Sequence, residues 1–350
     1  MGFGRPPKEF FTNKLSDGGV MPGLVNAHSR LELSALKERY PSGTGVAGFE
    51  QRIRNNPNPP TEQQIRKAAL NDLDQAYSRG TYFYNDVSRE PGFSDFLRSA
   101  TRFHGNRFLE IIGYDDKMSE ENILHTMLAM DNDPLLLPTP QSVYRSSPKV
   151  LQFVREKARF TSMSMHLFEA KDESNYPFEK GSLYRNMEKE QNYVRHQELY
   201  HTRILPYLDG MNMLSFKKLF LINLTYANNH DIEYLNEIIP HSAWVLCHRN
   251  QEFLGQSRKN WELLKASPIR MLIGTESSVT SGDVSILDEI AAIARTGHYE
   301  ESELFISATF AAYEYLEIHP SRIPYFLFVG AEPNIESLVK TEKKAMILRG

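Results

Sequence analysis

The chain has 350 residues, 41% of them hydrophobic and 24% charged, with a net charge of -4 and a single cysteine. That length and apolar content support a large buried core, and single α/β barrels reach this size. Scattered basic residues exclude a nucleic-acid footprint, and no run approaches the ~18 consecutive apolar residues of a membrane span. Cys247 alone excludes an internal disulfide framework and a multi-cysteine zinc site, so a reducing, cytoplasmic setting is expected. The leading MGFGRPPKEF has no apolar segment of the kind that directs secretion. The expected partners are a small molecule or another protein, with no nucleic acid and no membrane.

Taken in chain order, short apolar runs alternate with charged segments of helical period. The predicted strands are GLVNAH (23–28), TYFYND (81–86), RFLEIIGY (107–114), PLLLPT (134–139), TSMSMHLFE (161–169), KLFLINLT (218–225), SAWVLCHR (242–249) and IRMLIGTE (269–276). Between them, 61–79, 148–159, 231–239 and 285–295 carry apolar residues at helical spacing. Strands that alternate with helices predict an α/β fold, here a TIM-type (β/α)8 barrel with its site at the C-terminal strand ends. Two stretches depart from the repeat. Residues 40–60 hold PSGTG and NPNPP and predict an extended loop, because Pro and Gly interrupt helix and strand alike. Residues 171–217, rich in Tyr, Glu, Lys and Arg, predict a lid over the barrel mouth. Their aromatic residues Tyr176, Phe178, Tyr184, Tyr193 and Tyr200 read as packing of this excursion onto the barrel. The domain reading is an N-terminal extension (1–20), a barrel (21–325) with its insertion, and a C-terminal tail (326–350).

The chemistry concentrates in MPGLVNAHSRLELS (21–34). Its AHSRLELSALKERYPSGTGVAGFEQRI resembles the region after the first strand of amidohydrolase-superfamily deaminases that act on aminodeoxyfutalosine, S-adenosylhomocysteine and related purines, the Bacteroidetes-like branch above all. RFLEIIGYD resembles their third-strand motif, SMHLFEAKDE their fifth-strand His-x-x-Glu motif, VLCHRNQEFLG their CPRSN-x-FLG, and IGTESSVTSGDVSILDEI their GTDS-x-ASN-x-x-LSILDE. The order of these matches holds over roughly residues 18–300.

The resemblance implies hydrolysis of a carbon–nitrogen bond other than a peptide bond, by water that a divalent metal activates. It also implies a metal ligand set that this chain only partly keeps. His28 and His166 match ligands, Arg30 stands where the second histidine of His-x-His is expected, Asn223 replaces a sixth-strand histidine, and Glu276 replaces an eighth-strand Asp. Glu169 matches the proton-shuttling Glu, and with Glu276 it forms the candidate catalytic pair. Gln141 falls on a substrate-facing His, and His248 and Arg249 are candidates for the ligand-facing wall. Family members usually build a β-sandwich from about fifty residues before the first strand. Only about twenty stand before it here, so the sandwich is expected to be reduced or absent, with residues 345–348 pairing with the N-terminal strand.

Two readings of the centre remain open. His28, His166 and Glu276 hold one divalent metal, zinc or iron, or no metal binds and the two histidines are hydrogen-bonded remnants. A guanidinium has no lone pair to give, so Arg30 either occupies the metal position and bridges Glu169 to Glu276 or turns to solvent or to the lid. The functional expectation is a deaminase-like protein whose metal-dependent catalysis is impaired or lost, a pseudoenzyme that acts by binding or assembly. The alternative is an active mononuclear aminohydrolase acting on a purine nucleoside-like substrate. A barrel side stripped of its sandwich raises the expectation of a homo-oligomer or a protein partner.

Overall fold

The computed structural model describes residues 18–113, 115–158, 160–189, 202–329, 335–340 and 346–348. After β1 (Gly18–Pro22) come β2 (Leu24–Ser29), β3 (Thr81–Ser88), β4 (His104–Ile111) and β5 (Leu136–Pro140), which pair in parallel in that order. A second parallel set follows the same rule: β6 (Ser162–Leu167), β7 (Lys218–Asn223), β8 (Ala243–Leu246) and β9 (Arg270–Ile273). Together they give the eight strands of the predicted barrel, all starting or ending within a few residues of the expected runs.

The two sheets meet at two seams through local contacts instead of a continuous ladder. At the β5–β6 seam His166 N donates to Gln141 O at 2.9 Å, while Thr139 Oγ1 donates to Ser164 O and accepts from Ser164 N. Pro138 and Pro140 have no N–H to offer, so a hydroxyl takes the ladder's place. At the β9–β2 seam Thr275 N donates to His28 O at 2.9 Å and Arg30 N donates to Glu276 O at 3.0 Å. Gly274 makes this approach feasible, because a Cβ there would lie 2.9 Å from both His28 N and His28 O.

Some helices form where the sequence supplies both a cap and an apolar stripe. Glu62–Ser78 opens on Thr61, whose hydroxyl accepts from Gln64 N while the Gln64 side chain accepts from Thr61 N. Its buried Ala69, Leu73 and Ala76 pack against Tyr84 of β3 and Leu31 beyond β2. Along β4, Phe108 and Glu110 alternate with Leu109 and Ile111, so the two pairs face opposite ways. Phe108 joins Phe220, Ile222, Val245, Cys247 and Leu272 in a buried cluster, with Tyr313 and Leu316 of the same cluster contributed from after the last barrel strand.

Three expectations are corrected. Residues 45–54 are not extended: Gly45–Arg54 is an α-helix. The prolines lie outside GVAGFEQRIR, Gly48 is carried within it, and Gly43 and Gly45, with φ of 76° and 67°, supply the left-handed turn that starts it. His248 and Arg249 do not prolong a strand, because β8 ends at Leu246 and His248–Phe253 is helical. The tail strand β11 (Met346–Leu348) pairs with β10 (Tyr325–Val329), and β10 in turn pairs with β1. These strands make a separate three-stranded antiparallel sheet, and its central strand is the apolar run YFLFV, which the expectation overlooked.

Candidate functional site

The polar residues singled out in the sequence converge at the C-terminal ends of the barrel strands, where sites of this fold lie. His28 and His166 are the next-to-last residues of β2 and β6, Asn223 closes β7, Gln141 follows β5 and Glu276 lies beyond β9. His28 Nε2 stands 3.0 Å from Glu276 Oε1, and His166 Nε2 stands 3.3 Å from the same oxygen. All three atoms are buried, and none is engaged in a hydrogen bond of proper geometry. His166 Nδ1 donates to Glu169 Oε2 at 2.6 Å, and Asn223 Nδ2 donates to that oxygen at 3.0 Å.

Local structure forces this convergence. Phe168, Asn223 and Glu276 are non-glycine residues with φ of 50°, 77° and 58°. Such left-handed positions are costly and persist only where the surroundings fix them. Glu173 fixes the first: its carboxylate accepts from Phe168 N at 2.8 Å and Glu169 N at 2.9 Å. Trp244 Nε1 and Arg258 Nη2 both donate to Asn223 O, and Asn260 Nδ2 donates to Leu224 O at 2.9 Å. Asp86 anchors the end of β2, accepting from Ser29 Oγ at 2.7 Å and Leu31 N at 3.0 Å.

Arg30 neither bridges Glu169 and Glu276 nor turns to solvent. Its guanidinium makes a two-point pair with Glu110, Nη1–Oε1 at 2.7 Å and Nη2–Oε2 at 2.9 Å. The physical reason is the inward position of Glu110 on β4, which offers a buried carboxylate to the forked donor. The pair belongs to a chain of charges: Arg89 Nε donates to Glu110 Oε2 at 2.6 Å, and both Arg89 and Arg145 lie 3.3 Å from Glu50. Glu50 stands on the Gly45–Arg54 helix, so this network ties that helix to the barrel. Backbone bonds from Gly43 N to Phe253 O at 2.7 Å and from Gly45 N to Leu254 O at 3.0 Å hold its N-terminal end.

The charges are tuned by these neighbours. Burial alone would raise the Glu276 pKa, but His28, His166 and Arg30 outweigh it and bring it down to about 2. For His166, burial disfavours the imidazolium, yet Glu169, Glu276 and Glu110 together raise it to about 9. His28 goes the other way, because burial prevails over Glu276. Burial likewise tends to raise Glu110, and Arg30 and Arg89 reverse this and hold it well below the carboxylate range.

Above these groups lies a cavity of only about 30 Å³, lined by Arg30, Glu50, Gln141, His166, Glu169 and Glu276 and roofed by Leu33, Val46, Phe49 and Leu254. The roof comes from the Gly45–Arg54 helix and its neighbours, and none of the described residues of 171–217 lines the cavity. Those described residues pack elsewhere: Tyr176 rests against Tyr144 and Tyr184 with ring centres 5.9 and 6.0 Å apart, and Phe178 is partly exposed. Tyr193 and Tyr200 lie outside the described residues. Gln141 is in place, whereas His248 and Arg249 do not line the cavity. His248 packs on Trp261, and Arg249 is paired with Glu289 at 2.7 Å and Asp283 at 2.9 Å. Sequence reasoning missed Glu110, Arg89, Glu50 and Arg145. The available signal was Glu110, a lone charge inside the apolar strand RFLEIIGY.

Whether a metal fits can be judged from the donors. Two imidazole nitrogens and a carboxylate oxygen, all within 4.8 Å of one another, form one buried group. Donors around one zinc at ~2.0–2.1 Å sit roughly 3.3 Å apart, close to the separations seen here. The three buried atoms without hydrogen bonds are the atoms a cation would engage. The donor set therefore fits a divalent metal, and Arg30, neutralised by Glu110, does not fill its place.

Eight parallel strands with two histidines and a carboxylate gathered at their C-terminal ends define the class by its fold, a TIM-type α/β barrel. Solved structures share it. The aminofutalosine deaminase of Helicobacter pylori in complex with methylthio-coformycin superimposes with a TM-score of 0.79 at 17% identity, over 96% of this chain and 86% of that one. The zinc-bound adenosine deaminase of Xanthomonas campestris gives 0.70 at 16% identity, over 95% and 79%. Atrazine chlorohydrolase of Arthrobacter aurescens, complexed with zinc, gives 0.66 at 15%, over 94% and 82%. At such identities the likeness establishes the fold. No protein-family model and no curated protein sequence matches the chain. Among the described residues no helix is long and apolar enough to cross a membrane.

Proposed function

We propose that this chain is a deaminase-like protein of hydrolytic ancestry in which metal-dependent turnover of a nucleoside-sized substrate is lost, and that it acts in the cytoplasm by binding or assembly. The observation that carries this reading is the cavity of about 30 Å³ above Glu276. Sites for drug-sized ligands span ~300–1,000 Å³, whereas this one has room for about one water. Its roof is bound to the barrel by buried ion pairs on Glu50 and Glu110. A purine nucleoside panel in a thermal-shift assay tests the reading: no member is expected to raise the melting temperature. A saturable rise with one nucleoside would show that the cavity admits such a ligand and would remove the observation on which the loss of turnover rests.

The three convergent donor atoms favour a second reading, an active mononuclear hydrolase. His28, His166 and Glu276 would hold one zinc or iron, which lowers the pKa of bound water towards ~7. Glu169, held by His166 and Asn223, would take up and return a proton at its carboxylate. Gln141 would orient the ligand from the β5 side. Elemental analysis of protein purified without chelators separates the two. About one metal per chain, lost in His166→Ala, supports the second reading, and a metal-free chain that stays so after zinc or iron is supplied removes it.

A further inference from the structure

Among the described residues β1 pairs with β10 alone, and its other side is an open edge. The register tells which backbone groups face that edge. Gly23 N donates to Pro324 O at 2.8 Å, and the pairs from Pro22–Tyr325 to Gly18–Val329 continue the same register. Hydrogen-bonded pairs alternate along an antiparallel ladder, so Gly19 and Met21 bond towards β10. Gly18 and Val20 then turn N–H and C=O to the open side, and Pro22 turns its C=O. Natural edges are guarded by charged side chains, proline, bulges or a covering element. Of these β1, with the sequence GGVMP, has only Pro22 at its end. The strand also walls a cavity of about 230 Å³, bounded opposite by Phe305, Ile306 and Phe310 from the helices Glu301–Ala308 and Phe310–Tyr315. None of the described residues lining it is charged, and Val20, Ile306 and Phe310 are 58%, 54% and 48% exposed.

We propose that β1 is the contact between two copies of this chain, paired antiparallel across a two-fold axis at Val20. In that register the strand is complementary to itself. Val20 lies opposite its own copy and exchanges two hydrogen bonds with it, while Gly18 N of each chain donates to Pro22 O of the other. The N–H that proline lacks is the only donor missing from the ladder. Charge favours a second copy as the occupant, because an isologous contact sets each residue of the patch against the same patch. An uncharged patch meets no like charge there, whereas a charged partner would bury an unpaired ion. Area sets the strength. Five residues span ~17 Å, and with a helix ~10 Å across the face covers a few hundred Å² per copy, short of the ~800 Å² of a standard interface. The dimer is therefore reversible and forms at micromolar concentration or above. Its surface shares no described lining residue with the cavity above Glu276, so the proposal stands apart from the reading of the metal centre.

Sedimentation equilibrium of the full chain over roughly 1–300 µM, the span in which a weak interface populates both states, tests it. A monomer–dimer equilibrium is expected. Val20→Lys, a change at an exposed position, sets two like charges face to face across the axis and should weaken the dimer at least about tenfold. In Val20→Cys the two Cα atoms would stand ~5.5 Å apart, within reach of a disulfide, so mild oxidation should give a covalent dimer. Cys247 is buried and offers no such link. A chain that stays monomeric over the whole range would overturn the proposal and leave the edge to an extended segment of another protein. A dimer unchanged in Val20→Lys, with that variant folded by circular dichroism, would overturn it by placing the contact elsewhere. A native dimer whose Val20→Cys form does not cross-link would overturn the register.

Discussion

Two residues decide the shape of the site. Gly274 lets β9 approach β2 closely, and the predicted effect of Gly274→Ala is a loss of about 1–3 kcal/mol, the cost of overpacking, because the added Cβ would meet His28 N and O at 2.9 Å. Denaturant unfolding measures it, and stability unchanged within error would contradict the seam. Glu110 is the second. Glu110→Gln removes the two-point partner of the buried Arg30 and leaves Glu32, 3.5 Å away, as a weaker one, and breaking such a pair costs about 3–5 kcal/mol. A melting temperature equal to that of the parent would show that Arg30 finds another counter-charge. The sequence pointed to Arg30 as the anomaly, and rightly, but not to its partner. Glu169 and Glu276 were the visible carboxylates because the motif names them, whereas Glu110 sits in an apolar strand whose inward side only the register reveals.

At the scale of elements, the strand runs and the helices 61–79, 148–159, 231–239 and 285–295 were legible because period and capping residues agree. Helix Glu62–Ser78 carries both signals. The Gly45–Arg54 helix was not legible, because flanking Pro and Gly dominate the local pattern, and what stabilises it is tertiary: Glu50 held by Arg89 and Arg145, and Gly43 and Gly45 bonded to Phe253 and Leu254. This predicts a pH dependence. Burial would raise the Glu50 pKa, but Arg89, Arg145 and Arg30 bring it from 4.5 down to about 2. A carboxyl held low in the folded chain contributes stability that is full above the unfolded value of 4.5 and fades as pH falls through 4.5 towards 2. Amide protection over residues 45–54, corrected for intrinsic exchange, should therefore fall across that window. Protection that stays flat would show that the ion pairs do not hold the helix.

For the molecule as a whole, the eight-stranded barrel was legible from ordered motifs, and the structural neighbours share it. The pairing of the tail with the N-terminal strand was not legible, since β10 lies between the two segments expected to meet. The donor set and the closed roof pull in opposite directions: His28, His166 and Glu276 form a group that a metal fits, beneath a cavity that a nucleoside does not. Under the proposed function the centre is retained and turnover is lost. Ammonia release from a panel of purine nucleosides, measured on protein supplied with zinc or iron, tests that claim most directly. Release no faster than from protein-free controls is expected; turnover that Glu169→Gln abolishes would contradict the loss of catalysis.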